Sequence, residues 1–546
     1  MNEVKKFWYF ISKKKLTVSS AAIILGTTYL ASNILGMVRE SLISSYSGTL
    51  VGGVHLTDIF YASFRIPDLI FNLLVLGAVS SAFIPVYVDY LSEDKKEESN
   101  LVASNFMNFL LISTVVFGIL AFLLSWKLVP LLLPGIFLNG QNPDPIVLNT
   151  TVSTVRLMLL SPIFFAISSV FGAILNSKKR FLSFALAPLI YNLSIIIGIV
   201  FFTKIFKQPL YGLTAGVILG AFLQMLIQLP GTLMSGWRWR PVFSFDKHEL
   251  PKIIKLMIPR TIAIGVGQIN LIVDTIVASF FVGGITQFTF ANDIQTLPTV
   301  VFGIAIATAV FPFLAEQNSK KEKAEFLKTF SEAARNILYF IIPATIGILI
   351  LRAQIVRLVF GWSDNFDMTM TELTALTLGC FALGLVAQGL IPLLIRTFYS
   401  LKDTKTPLFI GIIVVAVNAV LSIALPYFFH DSLGIAGVAL AFSIAGFVNI
   451  ILLFWYLHKR LGVLDKDNKI FVSTSRLVFA SLIMGLAVWG SLQFFDIFVE
   501  TGTVIGIFTQ TLASILVGVI VYFSLTWAMG CEETVFVMKK LGLKKT

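Results

Sequence analysis

Apolar runs of roughly twenty residues or more recur along the whole chain, and they limit it to one class of fold. In hydrocarbon every backbone N–H and C=O must be satisfied within the protein, so each such run has to form a helix. The chain has 546 residues, 57% of them hydrophobic and only 13% charged, with a mean hydropathy of +0.88. Soluble domains carry about twice that share of charge. No long polar segment is left to hold a separate soluble domain. The runs predict fourteen helices, at 16–46, 56–88, 101–126, 150–176, 181–203, 210–230, 253–281, 285–315, 329–351, 371–395, 407–428, 434–457, 472–496 and 503–529. The expected fold class is an all-α polytopic membrane protein.

Several functions lose their support at once. Cys380 and Cys531, the two cysteines, cannot make a disulfide framework or a cysteine metal site. His55, His248, His430 and His458 are scattered, with no paired-ligand spacing, so no metal cofactor is expected. No phosphate-binding glycine loop, nucleophile elbow or dinucleotide fingerprint is present. The basic start, MNEVKKFWYFISKKK, has no small-residue cleavage site after a short apolar core and reads as a retained anchor.

The net charge of +12 is explained by where the cations fall. With the N-terminus inside, most of the 41 Lys and Arg lie in segments on the cytoplasmic side, such as Lys13–Lys15, Lys178–Arg180, Lys320–Lys323, Lys402–Lys405 and Lys539–Lys545. The external segments hold only Lys127, Lys204, Lys207, Arg352 and Arg357. Positively charged loops stay inside, so both termini are expected in the cytoplasm. The cations face anionic headgroups of the membrane lipids, and no nucleic-acid partner is needed.

The two halves of the chain repeat. SAFIPVYVDYLSEDKKEE (81–98) aligns with TAVFPFLAEQNSKKEKAE (308–325), Pro85 matching Pro312. FGAILNSKKRFLSFALAPLIYN (171–192) aligns with LIRTFYSLKDTKTPLFIGIIVVAVN (394–418), and YGLTAGV with LGIAGV. Three matches in order at a nearly constant offset imply two six-helix lobes in parallel orientation, followed by two extra helices. The expected organisation is a basic segment 1–15, a first lobe 16–230, a linker 231–252, a second lobe 253–457, a linker 458–471, two further helices 472–529, and a basic tail 530–546. In the second copy Thr406 is expected at the N-cap with Pro407 at the first helical position.

Polar groups in a membrane are costly, so their positions carry information. On the first helix Ser32, Gly36, Arg39 and Glu40 share a face, and on the second Asp58, Tyr61, Arg65, Asp68 and Asn72 form a stripe. The seventh carries Arg260, Gly267 and Asp274, with Asn270 nearby, and the eighth carries Thr286, Thr289, Asp293 and Thr296. The fifth, sixth, eleventh and twelfth carry almost nothing comparable. Four stripes on repeat-related helices predict a water-filled cavity between lobes, and private pairing between neighbouring helices is the competing account. Pro67, Pro85, Pro259, Pro298 and Pro312 fall in these helices and are either hinges or static kinks. Asp274 reads either as an Na+ or H+ coupling site or as one half of a salt bridge.

SNILGMVRESLIS, TDIFYASFRIPDLIFNLLVLGAVSSAFIPVY, FGAILNSKKRFLSFALAPLIYN, MIPRTIAIGVGQINLIVDTIVASFF, LRAQIVRLVFGWSDNF and FYSLKDTKTP together resemble the MurJ/MviN family of the MOP exporter superfamily. The resemblance implies a flippase in the bacterial inner membrane. Its cargo would be lipid II, the undecaprenyl-pyrophosphate-linked disaccharide pentapeptide of cell-wall synthesis. Alternating access would be driven by an Na+ or H+ gradient or by membrane potential, with no ATP and no bound cofactor. Arg39, Glu40 and Asp58 match the family's cavity residues. Arg65 keeps a cation common at its position and Arg260 adds one. Asn33, Phe71, Asn72 and Asp293 stand where members of the family carry arginines, and Thr296 where they carry an acid. Besides a transport-inactive relative acting as a scaffold, which the missing arginines would allow, two other classes stay open on the residues themselves. One is an exporter of another lipid-linked glycan or an organic cation, which the acidic excess of the stripes would suit. The other is a membrane enzyme, which the short external segments, with Asp144, Asp364 and Asp367, support poorly.

Overall fold

The computed structural model describes residues 18–76, 79–137, 144–245, 249–429, 432–465, 468–498 and 503–540. The basic segment 1–15, and Lys544 and Lys545 of the tail, lie outside the described residues. The described residues are helical apart from connecting loops and one short hairpin, β1 (Leu50–Val51) against β2 (Val54–His55). The helices are α1 (Val18–Ser44), α2 (56–76 and 79–92), α3 (Lys96–Leu132), α4 (Pro145–Ser177), α5 (181–205), α6 (Pro209–Met234) and α7 (Leu250–Ala278). They continue with α8 (Gly284–Ser319), α9 (Lys323–Phe360), α10 (368–400), α11 (Lys405–Phe428), α12 (Ala436–Leu461), α13 (Lys469–Phe498), α14 (Val504–Ala528) and a short α15 (Glu532–Lys540). Each of the fourteen predicted runs therefore falls on a helix. Among the described residues, eleven are long and apolar enough to cross a membrane on that ground alone. A twelfth, α10, qualifies if its halves, bent by 45° after Leu383, are one span. Helices α1 and α2 are the ones whose stripes hold Arg39, Glu40, Asp58, Arg65 and Asp68.

The chain forms two compact units, Met1–Ile285 and Thr286–Thr546. The boundary falls after α7, one helix later than the sequence repeat would place it. Leu250, Ile253 and Met257 of α7 are buried in the apolar core of the first unit, and two polar contacts add to that packing. The Thr261 hydroxyl donates to the Leu73 carbonyl at 3.1 Å, and the Arg65 Nε of α2 donates to the Thr275 hydroxyl at 2.8 Å.

The backbone repeats more faithfully than the sequence does. Between α2 and α3, Asp94 adopts a left-handed φ of 56°, and the Lys95 amide reaches back to the Tyr90 carbonyl. Between α8 and α9, Lys321 has φ 60° and the Glu322 amide reaches back to the Gln317 carbonyl. Lys179 and Lys402 form a second such pair. Each turn closes the preceding helix by returning an amide to a carbonyl that would otherwise be orphaned. A third match is internal. In α2, Asn72–Leu76 winds as π-helix, and in α8 Thr299–Ile304 does the same at the equivalent place. Pro298 directly precedes the second of these, and both segments free carbonyls that need outside donors. Thr261 serves Leu73, and Arg396 of α10 serves Ile304 at 2.8 Å.

Within the first unit, α5 and α6 approach through glycine. A Cβ on Gly198 would lie 2.5 Å from the Gly216 Cα, and one on Gly212 would meet the Thr203 backbone at 2.4 Å. Such contact favours small residues over polar ones, which is why these helices read as featureless. The segment after α6 is held by two asparagines of α3: Asn108 donates to the Arg240 and Val242 carbonyls, and Asn105 to the Ser244 carbonyl.

The expected cap at Thr406 is corrected. The helix starts at Lys405, so the N-cap position is Thr404, whose side chain makes no capping bond; the capping comes from the residue before it, Asp403, whose carboxylate accepts the Lys405 amide (3.1 Å), the Thr406 amide (3.0 Å) and the Thr406 hydroxyl (2.8 Å). A carboxylate takes two amides at once, whereas the Thr406 hydroxyl is already spent on Asp403. Arg460 adds an ion pair at 2.6 Å. Partial burial pushes the Asp403 pKa up, but the Thr406 amide and hydroxyl, Arg460 and the Lys405 amide outweigh it and hold the group below the ordinary carboxylate range. A carboxyl with a lowered folded pKa stabilises fully above its unfolded value of about 3.9 and loses that contribution as pH falls through the folded value. Asp403→Asn is therefore expected to cost about 1 kcal/mol near neutral pH and to cost progressively less below pH ~4. Thermal unfolding in detergent at the two pH values measures the difference.

Candidate functional site

Arg39 and Glu40 occupy the centre of a buried polar cluster in the first unit. Arg39 Nε donates to Glu40 Oε1 at 3.0 Å, and the Nη2 group closes the ion pair on the same oxygen. Nη1 donates to Asn192 Oδ1 at 2.9 Å, and the Tyr61 hydroxyl donates to Glu40 Oε2. Asn192 in turn donates to the Ser32 carbonyl at 3.0 Å and the Ser32 hydroxyl at 3.2 Å. The cluster thus joins α1, α2 and α5. Glu40 is 6% exposed, while the Arg39 side chain keeps 22% of its surface. A guanidinium has five N–H groups. The contacts above engage three of them, leaving one on each terminal nitrogen without an acceptor among the described residues.

Asn192 corrects the reading of α5 as empty of polar function. A lone asparagine in an apolar run gave little warning, although it stood in the repeat as the partner of Asn418, which is also buried. The Asn192 Oδ1 accepts from Arg39 Nη1 while Glu40 takes Nε and Nη2, so the guanidinium is held by one helix besides its own, and Tyr61 of α2 acts on it through Glu40.

Arg65 and Asp274 form a second group. Arg65 holds the Thr275 hydroxyl, while Asp274, 1% exposed, accepts from Asn270 Nδ2 at 3.1 Å. The stripes of α2 and α7 therefore meet, through a threonine that the charge pattern passed over. Asp68 lies half-buried one turn beyond Arg65 on the same helix. Asn72 opens the π-helical segment, its amide shared between the Asp68 and Leu69 carbonyls.

Other expected site residues fall elsewhere. Asp58, 3% exposed, lines a separate cavity of about 270 Å³ with His55, Gly135, Ser279 and Gly283, where the Gly135 amide donates to the Ser279 hydroxyl at 3.0 Å. Arg260 is exposed on α7 and has no ion-pair partner among the described residues. Asp293 belongs to the second unit, half-buried on α8. No group of three or more metal-ligating side chains converges among the described residues.

The comparisons with known proteins agree with this architecture. A family model described as "Lipid II flippase MurJ" matches residues 48–509. The "Probable lipid II flippase MurJ" of Vibrio cholerae is 31% identical over 486 residues, covering 88% of this chain and 90% of the relative. The "Lipid II flippase MurJ" of Burkholderia cenocepacia is 27% identical over 522 residues, covering 93% and 96%. Among solved structures, a "Lipid II flippase MurJ, inward closed conformation" superposes with a TM-score of 0.73 at 24% identity, over 93% of this chain and 99% of that one. An inward-facing multidrug resistance MATE transporter of the MOP superfamily reaches 0.63 at 14% identity, over 82% and 99%. These two likenesses establish the fold, while the sequence match over most of the chain establishes more: the protein is a member of the MurJ lipid II flippase family.

Proposed function

We propose that this protein carries lipid II from the inner to the outer leaflet of a bacterial cytoplasmic membrane by alternating access, as a transporter with no catalytic step of its own. The observation that carries the proposal is Arg39. It is held by Glu40 and Asn192, stays partly exposed, and keeps N–H groups on both terminal nitrogens for an incoming acceptor. A planar fork of this kind suits a pyrophosphate. Glu40, Asp58, Arg65, Asp68, Asn72, Arg260 and Asp293 are proposed as further contacts, reached in different stages of the cycle. Both termini are proposed to face the cytoplasm, with the repeat lobes 16–230 and 253–457 as the moving bodies.

The test is replacement. A bacterial host is depleted of its own lipid II flippase, this chain is expressed, and lipid II in the outer leaflet is measured. Recovery supports the cargo. Failure at normal membrane abundance, in a host that accepts another member of the family, overturns it. A lipid-linked glycan of different sugar composition offered in the same assay tests the competing cargo.

Coupling is proposed at Asp274, a buried carboxylate beside the contact between Arg65 and Thr275. Asp274→Asn keeps the shape and removes the charge that a cation would neutralise. It is expected to abolish the dependence of transport on an imposed Na+ or H+ gradient while leaving abundance unchanged. Normal dependence in that variant would rule the role out.

A further inference from the structure

Of the arginines placed inside the predicted helices, Arg156 of α4 and Arg335 of α9 are left unused by the transport reading, and Arg335 is paired with Glu532 and Glu533. Arg156 lies eleven residues past Pro145, roughly 16 Å along the helix. Its partners are all neutral. Nε donates to the Ser125 hydroxyl at 2.9 Å and to the Phe122 carbonyl at 3.3 Å, and the guanidinium carbon lies 4.3 Å from the centre of the Phe122 ring and 5.6 Å from that of Trp126. No carboxylate pairs with it among the described residues, and neither terminal nitrogen has an acceptor there. A guanidinium at membrane depth needs a counter-charge or water, and ring stacking supplies only part of that need.

Beside Arg156 runs a groove of about 780 Å³, within the range of sites that hold small organic ligands. Its walls are almost wholly apolar: Gly118 and Ile119 of α3, Leu160 and Ile163 of α4, Ala215 and Ile218 of α6. A Cβ added to Gly118 would meet nothing within 4 Å, so the groove is open at that point. The groove's helices, α3, α4 and α6, carry none of the polar stripes, so it is not part of the proposed cargo path.

We propose that this groove is a binding site for an anionic membrane phospholipid. An acyl chain lies along the apolar walls, and the phosphate rests on the two free terminal nitrogens of Arg156. Hydrocarbon alone would fill the groove without regard to headgroup. The arginine is what makes the site selective, because a negative phosphate supplies the missing counter-charge and a bidentate acceptor.

The full chain, reconstituted in equal parts phosphatidylglycerol and phosphatidylcholine, can be released from detergent in a mass spectrometer under native conditions and its retained lipids counted. The wild type is expected to retain phosphatidylglycerol preferentially. Arg156→Gln is expected to lower that preference about five-fold, the factor one basic residue contributes near an anionic surface. Arg156→Lys, which keeps a point charge without the fork, should fall between. Gly118→Phe fills the groove and leaves the charge, so it should remove one retained lipid of either class. It also replaces a glycine in a helix, which favours folding. Thermal unfolding of each variant confirms that it is folded. An unchanged lipid ratio in folded Arg156→Gln overturns the proposal. Displacement of phosphatidylglycerol by undecaprenyl pyrophosphate in the wild type would also overturn it, by giving the groove to a polyprenyl ligand.

Discussion

Arg39→Ala is expected to lower the unfolding temperature and to reduce lipid II transport by roughly ten- to a hundred-fold, the loss of about one charge-assisted contact to phosphate. The two effects have different causes and can be separated. Glu40 is 6% exposed, and its only partners among the described residues are Arg39 and the Tyr61 hydroxyl. Removing the cation leaves a buried carboxylate to be protonated or unpaired, at a cost of about 3–5 kcal/mol. Asn192 also loses the donor that its Oδ1 accepts, though its Nδ2 stays on Ser32. The double variant Arg39→Ala/Glu40→Gln removes the stranded charge while keeping an acceptor for Tyr61. It is expected to recover most of the unfolding temperature and none of the transport. Recovery of both would make Arg39 a packing residue, and the proposed pyrophosphate contact would fall with it. Glu40→Gln alone is the third corner of the comparison: it keeps Arg39 charged and should lose less transport than either variant lacking the cation.

What the sequence revealed and what it hid follow from different physics. Hydrocarbon imposes its requirement on every turn of a helix, so the apolar runs mark all fourteen helices, and Arg39 and Glu40 stand out against them. The repeat was legible at Pro85 and Pro312 because a proline inside a helix is costly and therefore stands out in an apolar run. In the structure it extends to Asp94 and Lys321, two different side chains sharing one left-handed backbone. The π-helical segments at Asn72–Leu76 and Thr299–Ile304 left no periodic signal, because one extra residue in a turn does not change composition. Neutral partners were equally silent. Thr261 and Thr275 each sit beside a stripe residue, Arg260 and Asp274, and a threonine in a helix usually does no more than bond its own preceding turn. Thr275 does donate to the Leu271 carbonyl, and its oxygen still accepts from Arg65. The packing of α7 with the first unit uses those hydroxyls beside the buried apolar contacts of Leu250, Ile253 and Met257, and could not be read from charge alone.

Arg335→Ala is expected to be the most destabilising substitution outside the candidate site, by about 3–5 kcal/mol. Arg335 of α9 is 7% exposed, and its Nη1 reaches two adjacent carboxylates of α15, Glu533 at 2.8 Å and Glu532 at 2.9 Å. The distances are nearly equal, but burial separates the contributions. The Glu532 side chain is 69% exposed, so its pair with Arg335 is worth less than about 1 kcal/mol, and Glu532→Ala should barely move the unfolding temperature. The Glu533 side chain is 4% exposed and is held also by the Ser473 hydroxyl of α13 at 3.0 Å. Without Arg335 that carboxylate keeps one neutral donor in a nearly dry site. α15 has nine residues, too few to persist as a helix without its tertiary contacts. Its release should therefore accompany the loss of stability, and limited proteolysis of the C-terminal tail would speed up in Arg335→Ala but not in Glu532→Ala. The double variant Arg335→Met/Glu533→Met replaces both charges with apolar groups. Because two desolvated ions often gain less from each other than they lose in leaving water, it is expected to match the wild type or exceed it by about 1–4 kcal/mol. If the double variant is as unstable as Arg335→Ala, the ion pair itself, and not merely the avoidance of a stranded charge, fastens α15 to α9. That outcome would leave the C-terminal segment fastened by a buried pair, which added salt screens far less than it screens the exposed pair to Glu532.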